Sequence, residues 1–447
     1  MRQTNFALAL LTAAILSACG GSDNDSASTS PVAKPQFKAQ VNFGDSLSDV
    51  GTYKVGAIAQ LGGGKYTING DRTTVNPAFT GKVWPELVAT QLGLPASCAA
   101  QTGLEGSGTG FNVPVINYPS CFNYAQGGSR VTEVAGPGNK LYSPTVGQLT
   151  RPITEQIDRH LAKIGGKFNG TEAIFVMAGG NDALQLLTNL NTAATTAGGQ
   201  VYAQTLIGAL AAGTSNPATA AGTIGTVFGT EIATSGNVTT ATTKAIGAAA
   251  QLGFATVVQP AVNGPIVAKA QADAAAAGAA YGQTNGPAQV TAMSLAGAQL
   301  AALVRTKLVA NGAKYVVVNN LPDIGTTPQG KSLTASSQTL VNGMVGAFNT
   351  ALRAGIDGLE ANVLYVDLQT ISIDQVANPA KYGISNAASP ACATNQLGGT
   401  SLVCNGSNLN AGDVSKYLFA DGVHPTPFGS SLIFKATTDA MVARGWL

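Results

Sequence analysis

The sequence predicts an α/β fold, a three-layer α/β/α sandwich with a mainly parallel central sheet. Short, largely apolar segments at residues 37–43, 173–178, 315–319 and 363–367 each precede a turn, and helical patterns lie between them. Strands that are separated by helices form a mainly parallel sheet that is covered on both faces. In such sheets the functional site lies beyond the carboxyl ends of the strands, and polar turns of this chain follow the strands there.

The first 18 residues are typical of a secretion signal. Arg2 precedes the apolar residues 6–16, a stretch too short to span a membrane. Leu16-Ser17-Ala18-Cys19 resembles a bacterial lipobox, which implies cleavage before Cys19 and a lipid on its thiol; an ordinary signal peptide is the alternative. Because Gly20, not aspartate, follows, the prediction is export and a lipid anchor in the outer membrane, with a secreted or periplasmic protein as the other possibility.

Residues 19–36 are rich in Gly, Ser, Asp, Thr and Pro and predict a flexible tether after the lipidated cysteine. Residues 37–447 then form one predicted catalytic domain, long enough for a large core. The formal net charge is only +2 and charged residues make up 10% of the chain, which argues against a nucleic-acid partner.

Four cysteines follow the tether: Cys98, Cys121, Cys392 and Cys404. An even number in an exported chain predicts two disulfides, for which three pairings are possible. We favour Cys98 with Cys121 and Cys392 with Cys404, because each pair then closes a Gly/Ser/Asn-rich segment. No Cys-x-x-Cys spacing or nearby histidine supports a metal site, so no metal is predicted.

Residues 185–290 form an Ala/Gly/Thr-rich stretch that a compact sandwich does not need, and we interpret it as an insertion. It follows a strand end, so it is expected beside the site. It would act there as a lid or acyl-binding wall, or it is a passive helical elaboration.

Four short blocks carry the chemistry. They are Phe43-Gly44-Asp45-Ser46-Leu47-Ser48-Asp49, Asn123-Tyr124-Ala125-Gln126-Gly127-Gly128-Ser129, Gly179-Gly180-Asn181-Asp182 and Asp421-Gly422-Val423-His424-Pro425. In this order the blocks resemble those of the SGNH, or GDSL, serine hydrolases. The resemblance implies a serine esterase or lipase with an SGNH-hydrolase-like, flavodoxin-like sandwich.

Nucleophilic catalysis on an ester needs a hydroxyl, a base and an acid that orients the base. Ser46 is the predicted nucleophile, although a serine in such a turn can also be a simple N-cap. The chain has only two histidines. His424 is the predicted base, with Asp421 three residues earlier as its orienting acid. The competing base, His160, is expected on the polar face of an amphipathic helix.

The resemblance also implies three donors for the transient oxyanion: the Ser46 N–H, the Gly128 N–H and the Asn181 side chain, with Gly127 as the alternative glycine. Glycine exposes its amide without steric cover, and asparagine is a donor that does not titrate. The remaining motif carboxylates, Asp45, Asp49 and Asp182, are expected to orient loops and backbone amides, and Asp323 to serve a structural turn. Gly62-Gly63-Gly64-Lys65 lacks the Walker spacing and is interpreted as a loop.

The predicted function is therefore carboxylic-ester hydrolysis through an acyl-enzyme, with an ester or lipid as substrate and no cofactor. Alternatives are a phospholipase or an acyltransferase of the same family that uses a lipid acceptor, and a sugar-ester deacetylase. A surface lipoprotein that binds a ligand without turnover is the alternative of another class.

Overall fold

The computed structural model describes residues 34–70 and 76–447. The predicted signal peptide at residues 1–18, the predicted lipidation site Cys19 and nearly all of the predicted tether lie outside the described residues. Within them the strands are β1 (Ala39–Gly44), β2 (Gln101–Glu105), β3 (Asn112–Asn117), β4 (Glu172–Met177), β5 (Tyr315–Asn319) and β6 (Val363–Val366). The α-helices there are α1 (Gly56–Gln60), α2 (Trp84–Gln91), α3 (Ile153–Lys163), α4 (Gly180–Ala212), α5 (Pro217–Ser235), α6 (Val238–Gln251), α7 (Pro260–Leu303), α8 (Pro328–Lys331), α9 (Ala335–Gly355), α10 (Leu368–Ala377) and α11 (Pro427–Ala443).

The central sheet has the strand order β1-β4-β5-β6, and each neighbouring pair in it is parallel. Strands β2 and β3 form a separate antiparallel pair. The interior strand β4 is buried along its whole length. A parallel strand covered on both faces has no solvent side, which explains the nearly continuous apolar run of β4 in the sequence.

Alternate residues of β4 contribute to two separate cores. Ile174 and Val176 belong to a core shared with α3, α7 and α9. Phe175 points to the other face, where it packs with Trp84 of α2 and Met441 of α11. Because side chains alternate along a strand, the sheet is the middle layer between two layers of helices. The predicted α/β fold class is confirmed.

The predicted insertion is helical and has a hydrophobic core of its own. Tyr202, Leu206 and Phe228, with small side chains such as Ala241 and Ala245, bury one another between α4, α5, α6 and the start of α7. The Asn237 side chain accepts the Thr240 N–H at 3.0 Å and caps α6. The region therefore packs as a helical unit in its own right.

The helical stretch Pro260–Asn311, which contains α7, is long and apolar enough to cross a bilayer by length and composition alone. A core helix of a water-soluble domain can pass the same test. The C-terminal part of α7 is such a core element, because Met293 and Leu300 are fully buried against the sheet layer.

The structure pairs Cys98 with Cys121 and Cys392 with Cys404, with Cα atoms 5.1 and 6.0 Å apart. These are the pairings that we favoured because each closes a Gly/Ser/Asn-rich segment. The second disulfide closes a loop whose last residues, Ser401–Val403, form a buried helical turn. That turn contacts the candidate site described next.

Candidate active site

Ser46 lies in the turn that follows β1, at the sheet edge where the parallel strands end. Gly44 closes β1 and has no room for a side chain, because a Cβ there would lie 2.8 Å from the Met177 carbonyl oxygen of β4. The Leu47 N–H donates to Asp45 Oδ1 at 3.1 Å and helps to set the turn. Ser46 itself is 6% exposed.

The structure brings Ser46, His424 and Asp421 into one hydrogen-bonded series. His424 Nε2 lies 2.8 Å from Ser46 Oγ, and His424 Nδ1 lies 2.8 Å from Asp421 Oδ2. The short turn before α11 aligns His424 with Asp421, since the His424 N–H also donates to Asp421 Oδ1 at 2.8 Å. This is the geometry in which a histidine accepts a serine proton while a carboxylate fixes its tautomer.

Asp421 is held as a carboxylate although it is buried. Burial alone opposes its ionisation, but the charge of His424 and hydrogen bonds from His424, Ser401 and Val423 outweigh that cost. Together they hold the pKa of Asp421 well below its usual range. The Ser401 N–H, 2.7 Å from Asp421 Oδ2, comes from the loop that Cys392 and Cys404 close. Sequence reasoning gave Ser401 no role.

Tyr66 packs on the His424 ring and is a second residue that sequence reasoning missed. The two ring centroids are 4.6 Å apart and the planes are tilted by 35°. The ring also lies against Gly127, where a Cβ would come 2.2 Å from the Tyr66 ring. Tyr66 follows the Gly62-Gly63-Gly64-Lys65 loop, so that loop positions a side chain that lines the site.

The two candidate glycine donors differ in what their amides do. The Gly127 N–H donates to Asp49 Oδ2 at 3.0 Å and is occupied. Within the part of the chain that the structure describes, neither the Gly128 N–H nor the Ser46 N–H has a protein acceptor. Gly128 has φ +80°, and a Cβ there would lie 2.0 Å from the Pro137 carbonyl oxygen, so the position requires glycine. Gly128 borders the same cavity as Ser46.

Asn181 is the second residue of α4 and reaches the same cavity. Its Nδ2 donates one hydrogen to the Ser129 carbonyl oxygen at 3.0 Å, which leaves a second amide hydrogen for a ligand. The next residue, Asp182, accepts from Arg130 Nε and from the Val131 N–H, both at 3.1 Å. These bonds tie the start of α4 to the segment that carries Gly128.

The other motif carboxylates are buried and bind backbone amides, as expected for orienting groups. Asp49 Oδ1 accepts the N–H groups of Gly51 and Thr52 at 2.9 and 2.8 Å. Burial raises the pKa of Asp49 to about 6, and it raises the pKa of Asp182 to about 6 despite the nearby charge of Arg130. The pKa of Asp45 is raised to about 7, chiefly by burial.

His160 does not lie on a polar helix face, so that prediction was wrong. It is 2% exposed, its Nδ1 lies 3.1 Å from the Tyr124 hydroxyl oxygen, and its ring packs against Phe43 and Phe168. Burial, with the charge of Lys163, lowers its pKa to about 4. The signal was present in the sequence, since Ile153, Ile157 and His160 share the buried face of α3.

The cavity at Ser46 is open to solvent and has a volume of about 500 Å³. Among residues 185–290, all of which the structure describes, Thr188 alone lines it, so the predicted insertion contributes only the beginning of α4. Within the described residues no group of three or more His, Cys, Asp or Glu side chains is placed to hold a metal ion.

Residues 288–437 match the family model described as GDSL-like lipase/acylhydrolase. The matched segment contains Asp421 and His424, while Ser46, Gly128 and Asn181 precede it.

Curated proteins also match parts of the chain. Esterase EstA of Pseudomonas aeruginosa is 34% identical over 139 residues, which cover 29% of this chain and 20% of that protein. GDSL esterase/lipase At2g40250 of Arabidopsis thaliana is 31% identical over 142 residues, 28% of this chain and 39% of that protein. An uncharacterised Pseudomonas putida protein from a trpE-trpG intergenic region is 31% identical over 154 residues, 34% of this chain and 25% of that protein. The chain thus matches well under half the length of each of these relatives. In these segments the chain is similar to GDSL-like lipases and acylhydrolases, and its parallel-sheet α/β fold is consistent with that similarity.

Proposed function

We propose that this chain is a serine carboxylic-ester hydrolase, an esterase or lipase, that acts through an acyl-enzyme intermediate on Ser46. The observation that carries the proposal is the hydrogen-bonded series from Ser46 Oγ through His424 to Asp421, with 2.8 Å between Ser46 Oγ and His424 Nε2. The similarity to EstA, an esterase, and to At2g40250, an esterase/lipase, supports the same class of activity.

In acylation, His424 Nε2 takes the proton of Ser46 Oγ as the oxygen attacks the ester carbonyl carbon. The carbonyl oxygen becomes an oxyanion and accepts hydrogen bonds from the Ser46 N–H, the Gly128 N–H and Asn181 Nδ2. Donors that the fold holds fixed would need little reorganisation when charge develops. His424 then gives its proton to the alkoxide, and the alcohol leaves.

In deacylation, water replaces the alcohol and His424 again acts first as base and then as acid. The Asp421 carboxylate accepts the Nδ1–H throughout, which keeps Nε2 as the basic nitrogen and stabilises the imidazolium. Its low pKa keeps it in this acceptor form across the working pH range.

The proposal is tested with Ser46→Ala. We expect loss of 4-nitrophenyl acetate turnover and of labelling by a fluorophosphonate probe, with a nearly unchanged thermal melt. Ser336→Ala, which removes an exposed hydroxyl at the start of α9, is the matched control and should keep both. Full turnover by Ser46→Ala would refute the nucleophile, and no labelling of the native protein would favour a binding module instead.

We also propose that the protein is exported and anchored in the outer membrane by lipid on Cys19. Two disulfides in the described residues support an oxidising compartment. In a bacterial host, Cys19→Ser should lose incorporation of an alkyne-labelled fatty acid and should leave the membrane fraction. Unchanged lipid labelling in this variant would contradict the proposal.

A further inference from the structure

Thr150, three residues before α3, has a backbone conformation that threonine rarely adopts. Its φ is +47°, and among residues 34–70 and 76–447 it is the only non-glycine residue with a positive φ. In this left-handed region the Cβ of an L-residue crowds the backbone, and a branched side chain makes the strain larger. Glycine would adopt the same φ without strain. A threonine in this conformation therefore points to a function of its side chain.

Hydrogen bonds on both sides hold the backbone of Thr150 in place. The Gln148 N–H donates to the Gly138 carbonyl oxygen at 2.8 Å. The Arg151 N–H donates to Gln126 Oε1 at 2.9 Å. Thr150 itself is fully buried, so water does not compete for the groups around it. The surrounding structure thus fixes the strained conformation.

The Thr150 hydroxyl connects the two ends of one loop, residues 134–139. Its Oγ1 accepts a hydrogen bond from Asn139 Nδ2 at 2.8 Å. The same hydroxyl donates to the Val134 carbonyl oxygen at 3.0 Å. Because both groups of this hydroxyl are used, its loss would release both ends of the 134–139 loop.

The middle of the 134–139 loop encloses Gly128. A Cβ on Gly136 would lie 1.8 Å from the Gly128 carbonyl oxygen, and the Pro137 carbonyl oxygen lies 2.0 Å from the place of a Cβ on Gly128. Thr150 Cγ2 lies 2.6 Å from that same place. The methyl group of Thr150 and the loop that its hydroxyl holds therefore pack directly on the backbone of Gly128.

The two donors outside Ser46 that we propose for the oxyanion both depend on this backbone. Gly128 offers its own N–H. The carbonyl oxygen of the next residue, Ser129, accepts Asn181 Nδ2 at 3.0 Å and so helps to aim the Asn181 amide. A shift of residues 128–129 would move both donors at once.

We propose that Thr150 is a positioning residue for ester hydrolysis, whose strained backbone lets its hydroxyl and methyl groups hold Gly128 where the oxyanion requires it. Asn181 is held through its bond to Ser129. The inference rests on the proposed function, because that proposal assigns these groups to the oxyanion. Fixed donors stabilise the charge that develops in the transition state more than they stabilise the bound ester.

A residue that served only the stability of the fold would behave differently. Its loss would lower the melting temperature without a selective effect on the transition state. Loss of a positioning residue should lower kcat with little change in KM, and it should weaken a transition-state analogue in proportion.

The test is Thr150→Val, which replaces the hydroxyl by a methyl group and keeps the branched shape. For 4-nitrophenyl acetate, kcat should fall by between about tenfold and about 10³-fold, the loss expected when a whole oxyanion donor is removed. The Ki of phenylboronic acid, which forms a tetrahedral adduct with a catalytic serine, should rise by a similar factor. Thr150→Ser keeps the hydroxyl and should retain most of the native kcat.

Thr242→Val is the matched control. Thr242 is also buried, and its hydroxyl also has two partners, since it donates to the Val238 carbonyl oxygen at 2.8 Å and lies 2.8 Å from the Tyr202 hydroxyl oxygen. It belongs to the core of the helical region. This variant should lower the melting temperature but keep the native kcat and Ki.

A comparison of Thr150→Gly with Thr150→Ala tests the strain itself and does not depend on activity. Both variants lose the side-chain contacts of Thr150. At an ordinary φ the glycine variant would melt at the lower temperature, but at +47° it should melt at the higher one. Thr150→Gly should still show the reduced kcat, so it also serves if Thr150→Val does not fold.

The outcomes separate this inference from the proposed function. If native turnover depends on Ser46 but Thr150→Val and Thr150→Gly keep the native kcat, the positioning role is overturned and the proposed function stands. The same holds if kcat falls while the Ki of phenylboronic acid does not change, because the lost interaction then lies outside the oxyanion site. A lower melting temperature for Thr150→Gly than for Thr150→Ala would contradict the strained backbone. If no ester is turned over in a Ser46-dependent reaction, both proposals fail.

Discussion

The sheet edge around Ser46 and the helical region from α4 to α7 are stabilised by different interactions. At the sheet edge, buried carboxylates accept backbone N–H groups: Asp49 binds three and Asp421 binds three, besides the His424 ring. In the helical region, a core rich in alanine surrounds a few larger side chains such as Leu206 and Phe228.

This difference predicts opposite responses to mutation. A hydrogen bond to a carboxylate has one productive geometry, so its loss changes the position of a reacting atom. Apolar packing has no such direction, and its loss lowers stability without moving atoms in a remote site. The sheet edge should therefore govern kcat, and the helical region should govern the free energy of unfolding.

Among the variants that test this comparison, Asp421→Asn should give the largest effect on catalysis. The amide keeps the shape of the carboxylate, but it does not hold His424 in the required tautomer or stabilise the imidazolium. We expect kcat for 4-nitrophenyl acetate to fall about 10⁴-fold, with a thermal melt close to that of the native chain. A kcat within about tenfold of native would show that Asp421 does not orient His424 in this way.

The two disulfides give the next comparison. In Cys392→Ser/Cys404→Ser, the loop that supplies the Ser401 N–H to Asp421 is no longer closed. We expect a loss of about 3 kcal/mol in stability from chemical denaturation. Partial loss of the bond to Asp421 should also lower kcat by about tenfold.

Cys98→Ser/Cys121→Ser is the matched control, because it also removes one disulfide that closes a short loop. The two cysteines are 23 residues apart in that loop and 12 apart in the other. Its stability loss should be similar, but its effect on kcat should be smaller, since no bond to Asp421 comes from that loop. Equal losses of kcat in both double variants would remove the special role of the 392–404 loop.

Local patterns account for what the sequence predicted. Strand-length apolar segments between helical patterns predicted the fold class, and β4 and β5 each contribute side chains to the cores on both faces. The turns that hold Ser46 and His424 are short motifs, so their residue types were recognisable before any contact was known. The structure brings these two within hydrogen-bond distance.

What the sequence did not predict depends on contacts between distant segments. Tyr66 lies on His424, and the Ser401 N–H donates to Asp421. Both contacts arise because the loop after Gly62 packs on residues 401–404. In that packing the Gly64 N–H donates to the Leu402 carbonyl oxygen at 2.9 Å. No periodicity or spacing encodes such contacts. His160 is different, since its charged neighbours in sequence obscured an apolar helix face that the spacing did contain.

Substitution of Asp45 tests whether the charge of a buried carboxylate at the sheet edge lowers the free energy of unfolding. Burial raises its pKa from 3.8 to about 7, so between these values the folded chain keeps a proton that the unfolded chain loses. The contribution of Asp45 to stability therefore falls as pH rises through this window, by up to about 1.4 kcal/mol per pH unit. In urea unfolding, Asp45→Asn should gain stability relative to the native chain as pH rises from about 4 to about 7. Parallel pH profiles of the two proteins would contradict the raised pKa.

Leu206→Ala should have the smallest effect on catalysis and a large one on stability. Leu206 is fully buried in the helical core, so its truncation should cost about 2 to 5 kcal/mol in the free energy of unfolding. Neither the cavity described above nor a second, smaller cavity that also borders Ser46 is lined by a member of that core, so we expect kcat/KM for 4-nitrophenyl esters to stay near the native value.

Leu321→Ala provides the comparison for this variant, because it removes the same atoms from a buried leucine that lines the smaller cavity at Ser46. It should lose both stability and kcat/KM. If Leu206→Ala lowered kcat/KM as much as Leu321→Ala does, the helical region would be coupled to the site. The predicted lid or acyl-binding wall would then be the better interpretation of residues 185–290, and the division between a catalytic sheet edge and a separately stabilised helical region would not hold.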